Sequence, residues 1–317
     1  MSAASIPLQL GWDTWVEQVE AAAGGRDVLE IRHYDAETLA KGGEMWDATT
    51  SGVTDIGWNV TSYWPGQFPL AEAFALPALP TPTAESNAAV MYQVISEFPE
   101  LQQEFAGVKV LLIMSTTPYV VHTSDVQVTE IDDFKGLTLR AIGGTQQDIM
   151  AALGGTGVYF TGGEIYEAIQ LGTLDGATVP LDALQTIRVC EVTNYTSLWP
   201  STAINMVIAM NENTWGSLPA DIQDIFDAYG GDYGSRWVSH HYIDVGNQAA
   251  VDWCEDNGYG NTFYQPTAEQ LVDWAAIAGT PIWDLWLDRQ EELGQKDLAQ
   301  QILDRIIVLG NAFKSDF

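Results

Sequence analysis

The pattern of apolar and polar residues predicts a two-domain α/β protein with a long helical run late in the chain. Three observations carry that prediction. The stretch from Lys135 to Gly176 reads as strand, helix, strand, helix, strand with almost no spare loop, as in an open α/β sheet. From Pro219 to about Asn257 the pattern is helical and long, interrupted by Gly230-Gly231. With 317 residues and 46% hydrophobic content, the chain is large enough to bury two cores of ordinary size.

In chain order, Trp12, Trp15, Val16 and Val19 recur at helical spacing, so an amphipathic helix beginning near Leu10 ends at Gly24-Gly25. Val28–Arg32 reads as a strand, Leu39–Thr50 as a helix stopped by Gly52, and Thr54–Asn59 as a second strand with parallel neighbours. The loop from Trp58 to Pro69 is aromatic, polar and broken by proline and glycine. It lies at the carboxyl end of a strand, where open α/β sheets bind ligands. Trp58, Tyr63 and Trp64 there read either as pocket wall or as cover for the core. A proline-rich connection from Pro77 to Thr83 leads to a helix over Ala84–Glu97 and a buried strand over Val108–Ser115. Pro118–Thr123 is extended and holds the first crossover between domains.

The second domain is built around Arg140. Leu137–Ile142 is a strand, Gly143-Gly144 precedes a helix over Thr145–Leu153, and Gly154-Gly155 stops it. Val158–Phe160 is the next strand, Gly162-Gly163 opens another helix, and Gly172 closes that helix before Leu174-Asp175-Gly176. Leu181–Arg188 reads as helical, Val192–Trp199 runs back toward the first domain, and Asn205–Met210 rejoins it; two or three helices follow Asn257. The boundaries that result are 1–120 plus 206–250 for the first domain. The second takes 121–205 plus 251–317, including the C-terminal helices.

Charge and composition exclude whole classes. The formal charge of −31, from 43 acidic against 12 basic residues, is the wrong sign for nucleic acid. It suits high salt, where screening removes self-repulsion, and equally serves plain solubility. No apolar run approaches the ~20 residues of a membrane span. G-x-S-x-G and H-E-x-x-H are absent, and His240 and His241 are adjacent, so no enzyme and no metal site is expected. Gly155-Thr156-Gly157 begins like a dinucleotide fingerprint but precedes a strand, and no cofactor is expected. Cys190 and Cys254 form no CxxC; a free pair of buried thiols is the expectation, with a disulfide as the alternative in an exported protein. Met1–Leu10 shows no signal peptide.

Arg140 is one of 7 arginines and sits at the end of an apolar strand, where an unpaired charge is costly. Near a glycine-opened helix start it outlines an anion site, because a guanidinium forks a carboxylate and a helix N-terminus offers free N–H groups. A structural salt bridge, for example to Glu164, is the competing reading; Glu164 itself reads first as a helix cap.

Lys135-Gly136-Leu137, Leu139 and Arg140, the run from Gly163 to Gly176, and Asn213-Thr214-Trp215 with Leu218-Pro219 carry a resemblance over nearly the whole chain. The chain resembles the DctP-type solute-binding proteins of TRAP transporters. The resemblance implies a two-domain periplasmic-binding-protein-like fold with a cleft between its domains and a long helix spanning both, and a periplasmic location. It implies an arginine at position 140 that binds a ligand carboxylate. It also implies delivery of a small organic anion to membrane permease subunits by what is expected to be a monomer. A first strand normal to the family is missing here or reduced to Ser5–Leu8; a trimmed chain or a misplaced start codon accounts for this and for the absent signal peptide.

The departures shape the pocket. Val120 stands where relatives place a second arginine, and Val179 where many place a ligand-touching asparagine, leaving Thr178 as the nearest hydroxyl. The expected ligand-binding set is Arg140, Tyr63, Asn59, Trp58, Tyr119, Thr178, Trp199 and Asn205, and the expected ligand a monocarboxylate. A sulfonate or zwitterion receptor, or an enzyme on a related fold, are the alternatives.

Overall fold

The computed structural model describes residues 6–34, 38–315 and 317. Helix α1 (Ile6–Ala22) is held by Trp15, whose indole nitrogen donates to the Tyr229 carbonyl at 2.8 Å. A short 3-10 turn (Gly42–Glu44) leads to α2 (Met45–Thr50) and strand β1 (Ile56–Val60). The 3-10 segments Thr61–Tyr63 and Ala71–Ala75 carry the chain to α3 (Ala84–Glu97), which starts on a Thr83/Ser86 capping box. Next come α4 (Pro99–Glu104) and β2 (Val108–Ser115). The second half holds β3 (Val120–Thr123), β4 (Thr138–Arg140), α5 (Gly143–Ala152), β5 (Thr156–Val158), α6 (Ile165–Gln170), β6 (Gly176–Val179), α7 (Ala183–Thr186) and β7 (Tyr195–Ser197). Strand β8 (Asn205–Asn211) rejoins the first half, followed by α8 (Glu212–Ser217) and α9 (Ala220–Tyr229). Then come α10 (Gly231–Val238), a π-helical stretch (Ser239–Asp244) and α11 (Gly246–Asp256). Strand β9 (Thr262–Tyr264) precedes α12 (Ala268–Ala278), α13 (Thr280–Glu292) and α14 (Lys296–Ala312).

Two sheets divide the chain. The first has the order β1-β8-β2 and the second β5-β4-β6-β3-β7-β9. All of β8 is buried because both faces are covered. Val207 and Ala209 join a core with Phe74, Met91, Trp286 and Ile302, while Met206, Ile208 and Met210 join another with Trp15, Leu112 and Phe226. That is why the strand reads as an unbroken apolar run rather than an alternating one. In the second sheet β4 lies parallel to β5 and β6, with Arg140 paired to Val158 and Ala177. Gly176 is forced by this packing: a Cβ there would collide with the main-chain oxygen of His122 on β3.

The run from α10 to α11 spans both halves, α10 packing on α3 and β2, and α11 on α7. Its crossing point is the π-helical stretch. The two other crossings run side by side: Tyr119 N donates to the Thr202 carbonyl and Ser201 N to the Tyr119 carbonyl, at 3.0 and 2.8 Å.

Several sequence expectations are corrected. Val28–Arg32 forms no strand, because the N–H groups of Val28 and Leu29 turn back to the Gly25 carbonyl and Ile31 N is taken by the Glu20 carboxylate. The helix expected over Leu39–Thr50 shrinks to a 3-10 turn and α2 around Gly42-Gly43. The first sheet is antiparallel rather than parallel, since β8 enters between β1 and β2 from far along the chain. Ile6–Leu8 belong to α1, not a strand, and Ser5 lies outside the described residues. Strand β9 went unread, a three-residue edge too short to signal itself. Cys190 and Cys254 are not free thiols: they form a disulfide joining the turn after α7 to the end of α11.

Helices α13 and α14 bury Trp286, Ile302, Leu303 and Ile306 in the first half's core, whereas Trp274 and Ala278 of α12 join the second half's. On these contacts we propose a C-terminal domain line within α13, with α14 counted to the first domain.

Candidate functional site

Arg140 ends β4, and the pleat turns its side chain to where both halves meet. It is 2% exposed. Its Nε donates to the Phe160 carbonyl at 3.0 Å and its Nη1 to the Thr178 carbonyl at 3.2 Å, and the guanidinium carbon lies 6.0 Å from the centre of the Tyr119 ring. Two neutral carbonyls fix the head group, and among the described residues no carboxylate makes an ion pair with it. Glu164, the competing partner, is used elsewhere: it accepts from Thr161 N and Thr161 Oγ1 at 2.8 and 2.7 Å in a capping box, which holds its carboxyl below the usual range.

Arg140 faces a cavity of about 120 Å³. The first half contributes Trp58, Val60, Tyr63, Thr116, Ile204 and Met206; the second contributes Ile142, Ile165, Val179, Pro180, Asp182 and Thr186. Tyr119 joins the wall from the crossover, and burial pushes its phenol up to about 12 although Arg140 opposes the rise. The tyrosine is therefore a neutral hydroxyl at physiological pH. Tyr63 meets Tyr159 edge-on across the two halves, with ring centres 6.2 Å apart.

Of the residues expected from sequence, Arg140, Trp58, Tyr63 and Tyr119 come together on this wall. The other four lie off it. Asn59 is buried in the first sheet and donates to the Gly57 and Val207 carbonyls. Thr178 lies one layer behind Arg140, giving its hydroxyl to the Arg140 carbonyl and to Gln146 at 2.9 and 3.1 Å. Trp199 is core, donating to the Val128 carbonyl and packing edge-on against Phe134. Asn205 accepts from Asn87 at 3.1 Å beneath the first sheet. The start of α5 also turns away: Gly143 approaches Ser62, and Ile142 N is taken by the Gln146 side chain. The glycine-opened turn that lines the cavity is Gly162, ahead of α6. Asp182 escaped the sequence reading because it was absorbed into a helical stretch. Its signal was position, three residues past the carboxyl end of β6.

The cavity thus combines one cation, one buried acid, three aromatic rings and an apolar remainder. Among the described residues there is no group of three His, Cys, Asp or Glu side chains able to hold a metal, and no helix long and apolar enough to cross a membrane.

Residues 2–289 match the family of bacterial extracellular solute-binding proteins, family 7 (DctP), and the chain belongs to it. It is 28% identical over 229 residues to a monocarboxylate 2-oxoacid-binding periplasmic protein of Nostoc, covering 70% of this chain and 61% of that one. With the C4-dicarboxylate-binding periplasmic protein DctP of Rhodobacter capsulatus it shares 25% over 185 residues, 57% of this chain and 53% of the relative. The matches thus span less than two thirds of these relatives' length. Among solved structures, a TRAP solute-binding protein of Rhodoferax ferrireducens in complex with copurified benzoate superposes with a TM-score of 0.88 at 25% identity, over 95% of this chain and 92% of that one. A marine metagenome TRAP solute-binding protein specific for aromatic acid ligands shares the fold with a TM-score of 0.88 at 22% identity, over 96% and 94% of the two chains.

Proposed function

We propose that this member of solute-binding family 7 is the periplasmic receptor of a TRAP-type transporter, taking a small monocarboxylate into the cavity between its halves and delivering it to a membrane permease. One observation carries the reading: a guanidinium, 2% exposed and held by neutral groups (two carbonyls and the Tyr119 hydroxyl), faces a small aromatic cavity. Burying an uncompensated charge is costly, and a ligand carboxylate forking onto Arg140 supplies the missing partner. Tyr119, Trp58 and Tyr63 then cover the ligand's body, which favours an aromatic or weakly polar acid. The family, the benzoate of the Rhodoferax neighbour and the monocarboxylate ligand of the Nostoc relative support this class. The disulfide fits an oxidising compartment.

The test is calorimetry with benzoate, pyruvate and succinate on the intact chain and on Arg140→Ala. At least one monocarboxylate binds the wild type more tightly than succinate, and Arg140→Ala loses more than ~30-fold in affinity. Near-native affinity in Arg140→Ala, or succinate as the tightest ligand, sinks the reading.

A further inference from the structure

We propose that Asp182 is a specificity-determining residue of this cavity, and that the captured acid carries a hydrogen-bond donor, a hydroxyl or an ammonium, beside its carboxylate. The inference rests on Arg140 taking that carboxylate. Asp182 is 2% exposed and lines the same cavity as Arg140. It stands at the N-cap position of α7, yet its carboxylate makes no cap hydrogen bond to that helix; its main-chain carbonyl accepts from the Thr186 amide at 3.3 Å and from the Thr186 hydroxyl at 3.1 Å. A buried aspartate that lines a ligand-sized space without capping the helix it precedes is placed to meet the ligand.

The chemistry follows from what a buried carboxylate tolerates. It has about four acceptor sites, so a protein partner on one oxygen still leaves sites for a ligand donor. A C–H surface pressed against it would strip water without returning a hydrogen bond, which a site built for a polar ligand group punishes severely. Every other group on this side of the cavity is apolar or a neutral hydroxyl: Val179, Pro180, Ala183, Ile187 and Thr186. Charge counting points the same way. The first ligand carboxylate takes Arg140, so a second would meet the negative charge of Asp182 with no cation left to balance it. Asp182 therefore selects for a donor and against a dicarboxylate with the same atoms.

Two matched series test it, with binding to the intact chain read by calorimetry: phenylacetate, mandelate and phenylglycine, and propanoate, lactate and alanine. Within each series only the donor changes. In the wild type, a donor-bearing member of at least one series binds at least ~10-fold tighter than its parent acid, the worth of one satisfied hydrogen bond to a charged group. In Asp182→Leu that preference falls below ~3-fold while the parent acid binds as well or better. Asp182→Asn separates the donors, because its neutral carbonyl still accepts from a hydroxyl but no longer balances an ammonium. It also serves should the leucine variant not fold. Equal binding of parent and derivatives by the wild type, no binding of any of the six acids, or a preference that survives in both variants overturns the proposal. If Arg140→Ala abolishes binding while the Asp182 variants keep the wild-type preference, this proposal fails and the carboxylate reading stands.

Discussion

At the scale of single residues, the substitution that separates fork from point charge is Arg140→Lys. An ammonium keeps the charge but cannot span both carboxylate oxygens or reach the Phe160 and Thr178 carbonyls together. It should bind the ligand at least ~10-fold more weakly than the wild type; unchanged affinity in calorimetry would show that charge alone suffices. A second residue-scale prediction concerns His122, fully buried on β3 between Thr196 Oγ1 at 3.0 Å and the Val179 carbonyl at 3.3 Å. Nε2 donates to the carbonyl, and the Thr196 hydroxyl can donate to Nδ1 or accept from it, so burial rather than a lost hydrogen bond disfavours the charged ring. Burial holds its pKa down to about 4 against an ordinary 6.5. Between those values the unfolded ring takes up a proton and the folded one does not, so stability falls as pH falls, by up to about 3 kcal/mol. Buried acids act oppositely: Glu104, pushed up to about 7 by burial, contributes less stability as pH rises through that window. The diagnostic is thus the difference between His122→Gln and wild type in urea unfolding at pH 7 and pH 4.5. The variant should lose less stability on acidification; parallel losses would place the proton elsewhere.

At the scale of elements, the Cys190–Cys254 disulfide ties the end of α11 to the turn after α7, and Asp182, Ala183, Thr186 and Ile187 of that region form one side of the cavity. Cys254→Ala should cost about 2–4 kcal/mol in denaturant unfolding, and the double variant with Cys190→Ala no more than either single. Additive losses would mean the two positions act independently. The bridge also shows where sequence reading stopped. Glycine stops at Gly154-Gly155 and Gly172, the capping residue Glu164, and the strands around Arg140 were all legible, because each is a local pattern. The pairing of two cysteines 64 residues apart was not, because it depends on α11 crossing to α7. The same limit misplaced Asn59 and Asn205. Both lie at strand positions whose inward or outward sense is set by a partner strand far away in sequence. Arg140, Tyr63 and Tyr119 do line the cavity, as strand ends and crossovers mark the cleft in any open sheet.

At the scale of the whole molecule, two halves joined by paired crossovers and one long helix should close on the ligand. The first half reaches across to α5 of the second through two polar contacts. Glu72 accepts from the Thr145 hydroxyl at 3.0 Å, and Arg289 pairs with Asp148 at 2.7 Å. Arg289 belongs with the first half, since Trp286 on the same helix donates to the Pro69 carbonyl. Neither Arg289 nor Asp148 lines the cavity, so any effect of Arg289→Ala on affinity must pass through the balance of open and closed forms. A ligand shared by both halves binds the closed form better, and destabilising that form reduces apparent affinity by the lost population. The pair is partly exposed, 43% and 22%, which limits its worth to about 0.2–1 kcal/mol. Arg289→Ala should therefore weaken binding by about 1.4- to 5-fold, less so at high salt, where the wild-type pair is itself screened. Small-angle scattering should show a smaller radius of gyration at saturating ligand for both proteins. A constant radius together with unchanged affinity in Arg289→Ala would mean a rigid pocket, with ligand entry by side-chain movement at Tyr63 and Tyr159 rather than by motion of the halves.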